Sequence, residues 1–153
     1  MPVLLVVHHT TSPTLQELLE AVLSGASADG IEGVEVRVRP ALTASPVDVL
    51  EADGFVLGTP ANIGYLSGAM KHFFDGIYYP TLTAKPAAPY GLYVHGNNDT
   101  AGAIRAAESI TKGLGWAQVA KPVTIVGGAD KAATEACWEL GATVAASVMG
   151  VQS

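Results

Sequence analysis

Four hydroxyl side chains fall within five residues, at Thr10, Thr11, Ser12 and Thr14, in the stretch "HHTTSPTLQELLEAV". They follow an apolar run and precede a helical pattern. Two chemistries suit that position. Ser12 before Pro13 is a helix N-cap signal, because a Ser oxygen accepts from a first-turn N–H and Pro has no N–H to leave unpaired. The same place is an anion cradle, since a helix N-terminus presents unpaired N–H groups and partial positive charge. This loop alone supports both. Two further polar stretches bear on the choice, "TPANIGYL" at 59–66 and "HGNNDTAG" at 95–102.

The elements that must position these stretches alternate between short apolar runs and amphipathic helices. "PVLLVV" (2–7) reads as a fully buried strand. Leu15, Leu18, Leu19, Val22 and Leu23 then form one helix face, with Ser12 as N-cap and Pro13 as first residue. "GVEVRVRP" (33–40) alternates with period two, which predicts an edge strand with one wet face. Residues 41–52 are a loop or short helix, and "DGFVLGTP" (53–60) is a buried strand stopped by Pro60.

Leu66, Ala69, Met70, Phe73, Phe74 and Ile77 make a second helix face. "PYGLYVHG" (89–96) reads as a strand, followed by a helix over 101–113. The segment 116–126 is a strand interrupted at Pro122, which suits a sheet edge, and the last helix runs over 130–149. Repeated strand–helix alternation means a parallel sheet with helices on both faces. Ligands of such sheets bind beyond the C-terminal strand ends. The turns 8–14, 59–66 and 95–102 all leave those ends, and that coincidence favours the phosphate cradle over capping alone.

Composition narrows the class. Hydrophobic residues make up 49% and charged residues 14%, which excludes a disordered chain. One domain spanning 1–153 is expected. Eight basic against fourteen acidic side chains give a net charge of −6, which argues against nucleic acid or an anionic membrane as partner. No secretory signal pattern or bilayer-spanning run is visible, and the single Cys137 fits packing in a reducing compartment, so a cytoplasmic protein is expected.

The competing phosphate and catalytic motifs are missing. No GxxxxGK followed by Ser or Thr occurs, and GxGxxG fails because Gln118 stands where the last Gly belongs. A receiver domain would carry an acidic phosphoacceptor where Thr59 stands, and there is no GxSxG elbow. His8 and His9 point to opposite faces if their strand continues, and His95 lies on a non-adjacent strand, so no metal site is expected.

With these residues in view, the chain resembles the flavodoxin-like proteins over nearly its whole length. "HTTSPT" is similar to their phosphate loop, (S/T)-x-T-G-x-T. "GTPANIGYLSGAMKHFFD" (58–75) is similar to the flavin-ring loop and helix of flavodoxin-fold quinone and flavin reductases, GTPxxxGxxxxxMKxFxD. The broken segment ending in "VGGADKAA", with no long insertion, resembles the short-chain type.

The resemblance implies a three-layer α/β/α fold with a five-stranded parallel sheet in order 2-1-3-4-5, and non-covalent FMN over the ends of strands 1, 3 and 4. His9, Thr10, Thr11, Ser12 and Thr14 would surround the 5′-phosphate. Pro60, Ala61, Asn62, Ile63, Gly64 and Tyr65 would line one side of the isoalloxazine. His95, Gly96, Asn97, Asn98 and Asp99 would border its pyrimidine edge.

Two departures stand out. His9 replaces the usual Ser or Thr, and Ser12-Pro13 replaces Gly-x, removing one N–H donor. Tyr65 is the lone aromatic of the first ring loop, where electron carriers commonly sandwich the ring, and this favours an NAD(P)H-dependent flavin or quinone reductase. In that reading the flavin supplies the chemistry and no catalytic acid or base is required. The alternatives are an electron carrier serving a protein redox partner, or a flavin-free member binding another phosphorylated ligand. The aromatic stretch "IYYPTL" (77–82) suits pairing with a second copy.

Overall fold

Buried apolar strands must satisfy their backbone N–H and C=O groups, and here they do so on one another. In the computed structural model, which describes residues 1–151, the elements follow in this order: β1 (Val3–His8), α1 (Pro13–Ala26), β2 (Glu35–Pro40), α2 (Pro46–Glu51), β3 (Gly54–Asn62), β4 (Tyr65–Leu66), α3 (Gly68–Ile77), β5 (Pro89–Gly96), α4 (Ala101–Leu114), β6 (Ala117–Gln118), β7 (Val123–Val126) and α5 (Lys131–Val148). Gln152 and Ser153, the end of the expected 1–153 domain, lie outside the described residues.

The sheet order is β2-β1-β3-β5-β6, with β7 also parallel to β5 and β4 antiparallel to β3. β6 and β7 are the two halves of the strand interrupted before Pro122, and β4 is the return arm of a hairpin. With those taken together and aside, this is the expected order 2-1-3-4-5 of a flavodoxin-like fold.

Alternate strand residues face opposite layers, as a period of two requires. Leu5, Val7, Phe55, Leu57, Leu92 and Val94 pack with the buried faces of α3 and α4. Leu4, Val6, Val56 and Tyr93 pack with α1 and α5. Cys137 belongs to that second core, where burial pushes its thiol up to about 12, so it is packing rather than chemistry.

α1 and α5 approach to backbone contact. A Cβ on Gly25 would stand 1.9 Å from the Trp138 carbonyl oxygen, and one on Gly141 would stand 2.1 Å from the Val22 carbonyl oxygen. The two glycines face each other's helix, and the obstacle in both directions is main chain, which cannot rotate away.

Three expectations are corrected. Strand 53–60 does not stop at Pro60; β3 continues to Asn62 and turns back through β4. In a parallel ladder the N–H and C=O of one residue point to the same neighbour. Gly58 O accepts from His9 N–H at 2.9 Å, so Pro60, two residues on, faces the same side, where β1 has already ended at His8. The missing N–H therefore costs no ladder bond. Leu66 is buried in β4 rather than on a helix face, and α3 starts at Gly68 behind the N-cap Ser67. β2 lacks a fully wet face: Glu35 to Arg39 are all half-buried, because Arg37 bonds Glu35 and Glu51 (2.8 Å to the latter) and Arg39 lies 3.5 Å from Asp48, so α2 covers that side.

Gly141→Ala tests the helix contact. Inserting one methyl against a carbonyl should cost about 1–3 kcal/mol, or several degrees of Tm for a chain this size, with helical circular dichroism retained at room temperature. An unchanged Tm would show that α1 and α5 are free to separate.

Candidate functional site

All three polar turns emerge at one edge of the sheet because β1, β3 and β5 are parallel. The register sets His8 beside Gly58 and Pro60 beside His95. Thr10, Ser12 and Thr14 are half-buried with His9, and Thr11 is exposed. Ser12 is the N-cap of α1, since its Oγ accepts from Leu15 N–H at 3.2 Å while its carbonyl takes the first helical bond from Gln16 at 3.0 Å. Pro13 has no N–H, so Thr14 N–H is the first-turn donor left without a helical acceptor. Capping and an anion site are therefore compatible here: Ser12 caps by accepting and keeps its own O–H to donate.

Two features of this loop were not legible in the sequence. His8 Nδ1 lies 2.7 Å from Thr10 Oγ1, tying the loop's first hydroxyl to the end of β1. His9 Nδ1 is buried with no hydrogen-bond partner among the described residues. Such an atom is costly unless water or a ligand reaches it. Burial, and to a lesser degree the neighbouring His9, hold the His8 imidazole below its ordinary pKa.

The second turn is a tight hairpin. Ile63 and Gly64 have φ of 51° and 70°, and positive φ at both central residues is the geometry that matches strand twist. Its base is held by Thr59, fully buried, whose Oγ1 donates to the Pro60 carbonyl at 2.8 Å and accepts from Ser67 N–H at 3.4 Å. Ser67 in turn caps α3 through Met70 N–H at 3.2 Å. Thr59 and Ser67 thus join the hairpin to the helix that follows, a role the sequence pattern did not disclose.

The hairpin tip reaches the third turn. A Cβ on Gly64 would stand 2.6 Å from Asp99 Oδ2, and one on Gly102 would stand 1.8 Å from the Gly64 carbonyl oxygen. Gly64 is therefore required by this contact as well as by its own φ. In the third turn Asn97, Asn98 and Asp99 are exposed and Gly96 is buried. His95 Nε2 lies 2.7 Å from the Gly127 carbonyl, and because a carbonyl only accepts, that nitrogen carries the proton. The His95 ring is thus turned toward the loop after β7.

What the three turns form is an open shelf. Pro60 is buried, Ala61 half-buried, and Asn62, Ile63 and Tyr65 are exposed, Ile63 wholly so. A fully exposed, β-branched residue at positive φ is held against both hydrophobicity and backbone preference. A separate hollow of about 470 Å³ lies between β7 and α5, lined by Val123, Ile125, Ala133 and Ala136 among others, and includes none of the residues expected to bind a ligand. Among the described residues, no group of three or more His, Cys, Asp or Glu could hold a metal ion, and no helix is long and apolar enough to cross a membrane.

Residues 35–131 match the family model of the NADPH-dependent FMN reductases. A flavodoxin from Aquifex aeolicus (strain VF5) is 40% identical over 73 residues, which are 48% of this chain and 38% of that protein. The match thus spans well under half of that relative. Among solved structures, a flavodoxin from the domain Archaea superposes with a TM-score of 0.81 at 18% identity, covering 95% of this chain and 98% of that one. A flavodoxin, WrbA-like protein from Agrobacterium tumefaciens superposes with a TM-score of 0.79 at 17% identity, covering 97% and 98%. These two likenesses concern the fold.

The hairpin strain is testable in the protein without added ligand. Asn tolerates positive φ far better than Ile, so Ile63→Asn should raise stability by about 1 kcal/mol, roughly 2–4 °C in Tm. Gly64→Val, which adds strain and meets Asp99, should lower it. Equal melting of all three proteins would mean that the turn relaxes freely.

Proposed function

Because the chain belongs to the NADPH-dependent FMN reductase family, we propose that it holds FMN on this shelf and passes electrons from NADH or NADPH to a quinone, a flavin or oxygen, as a single flavodoxin-like domain. FMN is the cofactor of this family. When bound, it accepts a hydride and releases the electrons to a second substrate.

The residues present fit such a group. Its phosphate needs several donors and no nearby carboxylate, and the loop of Thr10, Thr11, Ser12 and Thr14 at the N-terminus of α1 offers hydroxyls, N–H groups and partial positive charge. The orphan His9 Nδ1 adds a buried polar atom with capacity to spare at the same loop. Its ring needs an apolar surface. Ile63, exposed at the hairpin tip, and Tyr65 beside it supply one, with Ala61 and Asn62 at the end of β3 leading into the tip.

The observation that carries the reductase reading is this hairpin. Hydride transfer requires a nicotinamide within roughly 3–3.5 Å of the ring, so one ring face must be reachable. A loop whose one aromatic is Tyr65, 42% exposed, leaves room for it. The net charge of −6 favours a second reading, an electron carrier docking on a basic redox partner.

Anaerobic addition of NADH or NADPH to the FMN-loaded protein distinguishes the two. The reductase reading expects bleaching of the flavin without any other protein, and return of the colour on adding a quinone or oxygen. Bleaching only through a separate reductase would establish the carrier.

Thr11→Glu tests the phosphate loop. A carboxylate about 4 Å from a phosphate charge is repelled by about 1–4 kcal/mol between water-like and near-surface dielectric, so FMN affinity should fall by roughly five- to several-hundredfold. Riboflavin, which has no phosphate, should be little affected. Equal loss for both ligands would remove this loop from the phosphate.

A further inference from the structure

α2 and α3 lie side by side over one face of the sheet, with Val49 and Phe73 turned into the same core. Their outer surface is apolar where water would favour charge. Leu42 and Val47 are each 60% exposed, Leu50 is 45% exposed, and Tyr79, just past the end of α3, is 79% exposed. Tyr79 is also braced outward, its ring meeting the edge of Tyr78 at 5.3 Å while the Tyr78 hydroxyl rests against Gly113. Exposed apolar residues scattered singly are ordinary, but several on two adjoining elements mark an interaction surface.

The helical glycines point to the same face. A Cβ on Gly25, Gly102, Gly113 or Gly141 would come within 2.4 Å of a neighbouring segment, so each of these glycines answers to a close contact inside the chain. A Cβ on Gly68 or Gly76 would meet nothing within 4 Å, and neither residue has positive φ. A glycine inside a helix is roughly 0.5–1 kcal/mol less favourable than alanine. Neither backbone conformation nor internal packing accounts for it on α3, and both α3 glycines are exposed.

The outward stripe of α3 runs Gly68, His72, Asp75 and Tyr79, spaced four, three and four. That is the spacing with which one helix seats along another. The stripe is also self-complementary. Turned antiparallel about a two-fold axis between Phe73 and Phe74, it sets Gly68 against Tyr79 and His72 against Asp75, each pair twice. A bare backbone thus faces the most exposed aromatic of the stripe, and an imidazole faces a carboxylate.

We infer that the α2–α3 face is the interface of a homodimer, with α3 packed antiparallel on α3 of a second copy about that axis. The same rotation sets α2 opposite α2, so Val47 and Leu50 are buried on their own counterparts, as an isologous contact requires. Charge permits it. The chain carries a net −6, which would drive copies apart, but on this face Asp48, Glu51 and Asp75 are paired with Arg39, Arg37 and Lys71. The excess negative charge lies elsewhere. Because α3 follows β4 directly, Tyr79 of the second copy stands beside the hairpin shelf of the first. That consequence for the shelf rests on the flavin reading, whereas the dimer does not.

The test is sedimentation equilibrium of the full chain, with and without added FMN, from about 1 to 100 μM, since association depends on protomer concentration. The expected mass is twice 15.7 kDa. Gly68→Leu, which obstructs Tyr79 of the second copy, and the pair Val47→Glu with Leu50→Glu should each weaken association by about tenfold or more. Gly68 has open space around it in the single chain, so Gly68→Leu should keep the wild-type circular dichroism. His72→Glu sets two repelling pairs across the axis and should also weaken association about tenfold, and adding Asp75→Lys should restore it. Val119→Glu, an exposed site beside β6, should change nothing. A wild-type monomer at the highest concentration would overturn the dimer and leave this face to a different protein. A dimer that none of the variants weakens would overturn this face as the interface. Weakening by His72→Glu without rescue by Asp75→Lys would overturn the antiparallel pairing. None of these outcomes depends on whether the shelf holds FMN.

Discussion

The register of three parallel strands is the constraint on which everything else here depends. β1, β3 and β5 are bonded so that His8, Gly58 and Tyr93 share one row and Pro60 and His95 share another. Because the strands are parallel, each must return through a helix, and every loop that starts a helix falls at the same edge. Slipping one strand by one residue would turn its buried side chains to the opposite face. The ladder thus holds the three turns together more firmly than any contact between the turns themselves.

The helices transmit that order to the site. α1 is held at backbone distance from α5 by Gly25 and Gly141, which fixes where its N-terminus, and so the hydroxyl loop, stands over the sheet. On the other face, Thr59 and Ser67 link the end of β3 to the start of α3, so the hairpin between them is short and strained rather than mobile by design. The strain is concentrated at Ile63, where an apolar side chain is offered to solvent at positive φ. A chain that maximised stability alone would place Asn there, so stability does not account for the apolar side chain at the hairpin tip.

Much of the fold was readable from periodicity. The apolar runs at 2–7, 53–60 and 89–96 read as buried strands, and the spacing of Leu15, Leu18, Leu19 and Val22 reads as one face of a helix. The failures have a common cause. Pro60 reads as a strand terminator because a proline lacks an N–H, yet it terminates nothing where the neighbouring strand has already ended. Leu66 fits the i, i+3, i+4 pattern of the residues after it, but it belongs to a hairpin arm, since the N-cap geometry of Ser67 sets the helix start one residue later. The wet face expected of β2 is covered by α2 through Arg37 and Arg39, long side chains whose ion pairs leave no trace in a hydropathy pattern.

The sequence by itself determined the type of the main elements, the order in which they alternate, and the chemical character of the three turns. Those properties are local: a hydrophobic period, a capping serine, a proline or a cluster of hydroxyls needs only its neighbours to be read. Tertiary structure decided which hydroxyl is tied to a histidine, which buried nitrogen is left without a partner, and which turn presses on which. His8 and Thr10 are two residues apart, yet their bond depends on β1 ending where it does against β3. Gly64 and Asp99 meet only because β3 and β5 are adjacent in the sheet. Interactions of that kind are set by strand register, and register is a property of pairs of segments that no single segment contains.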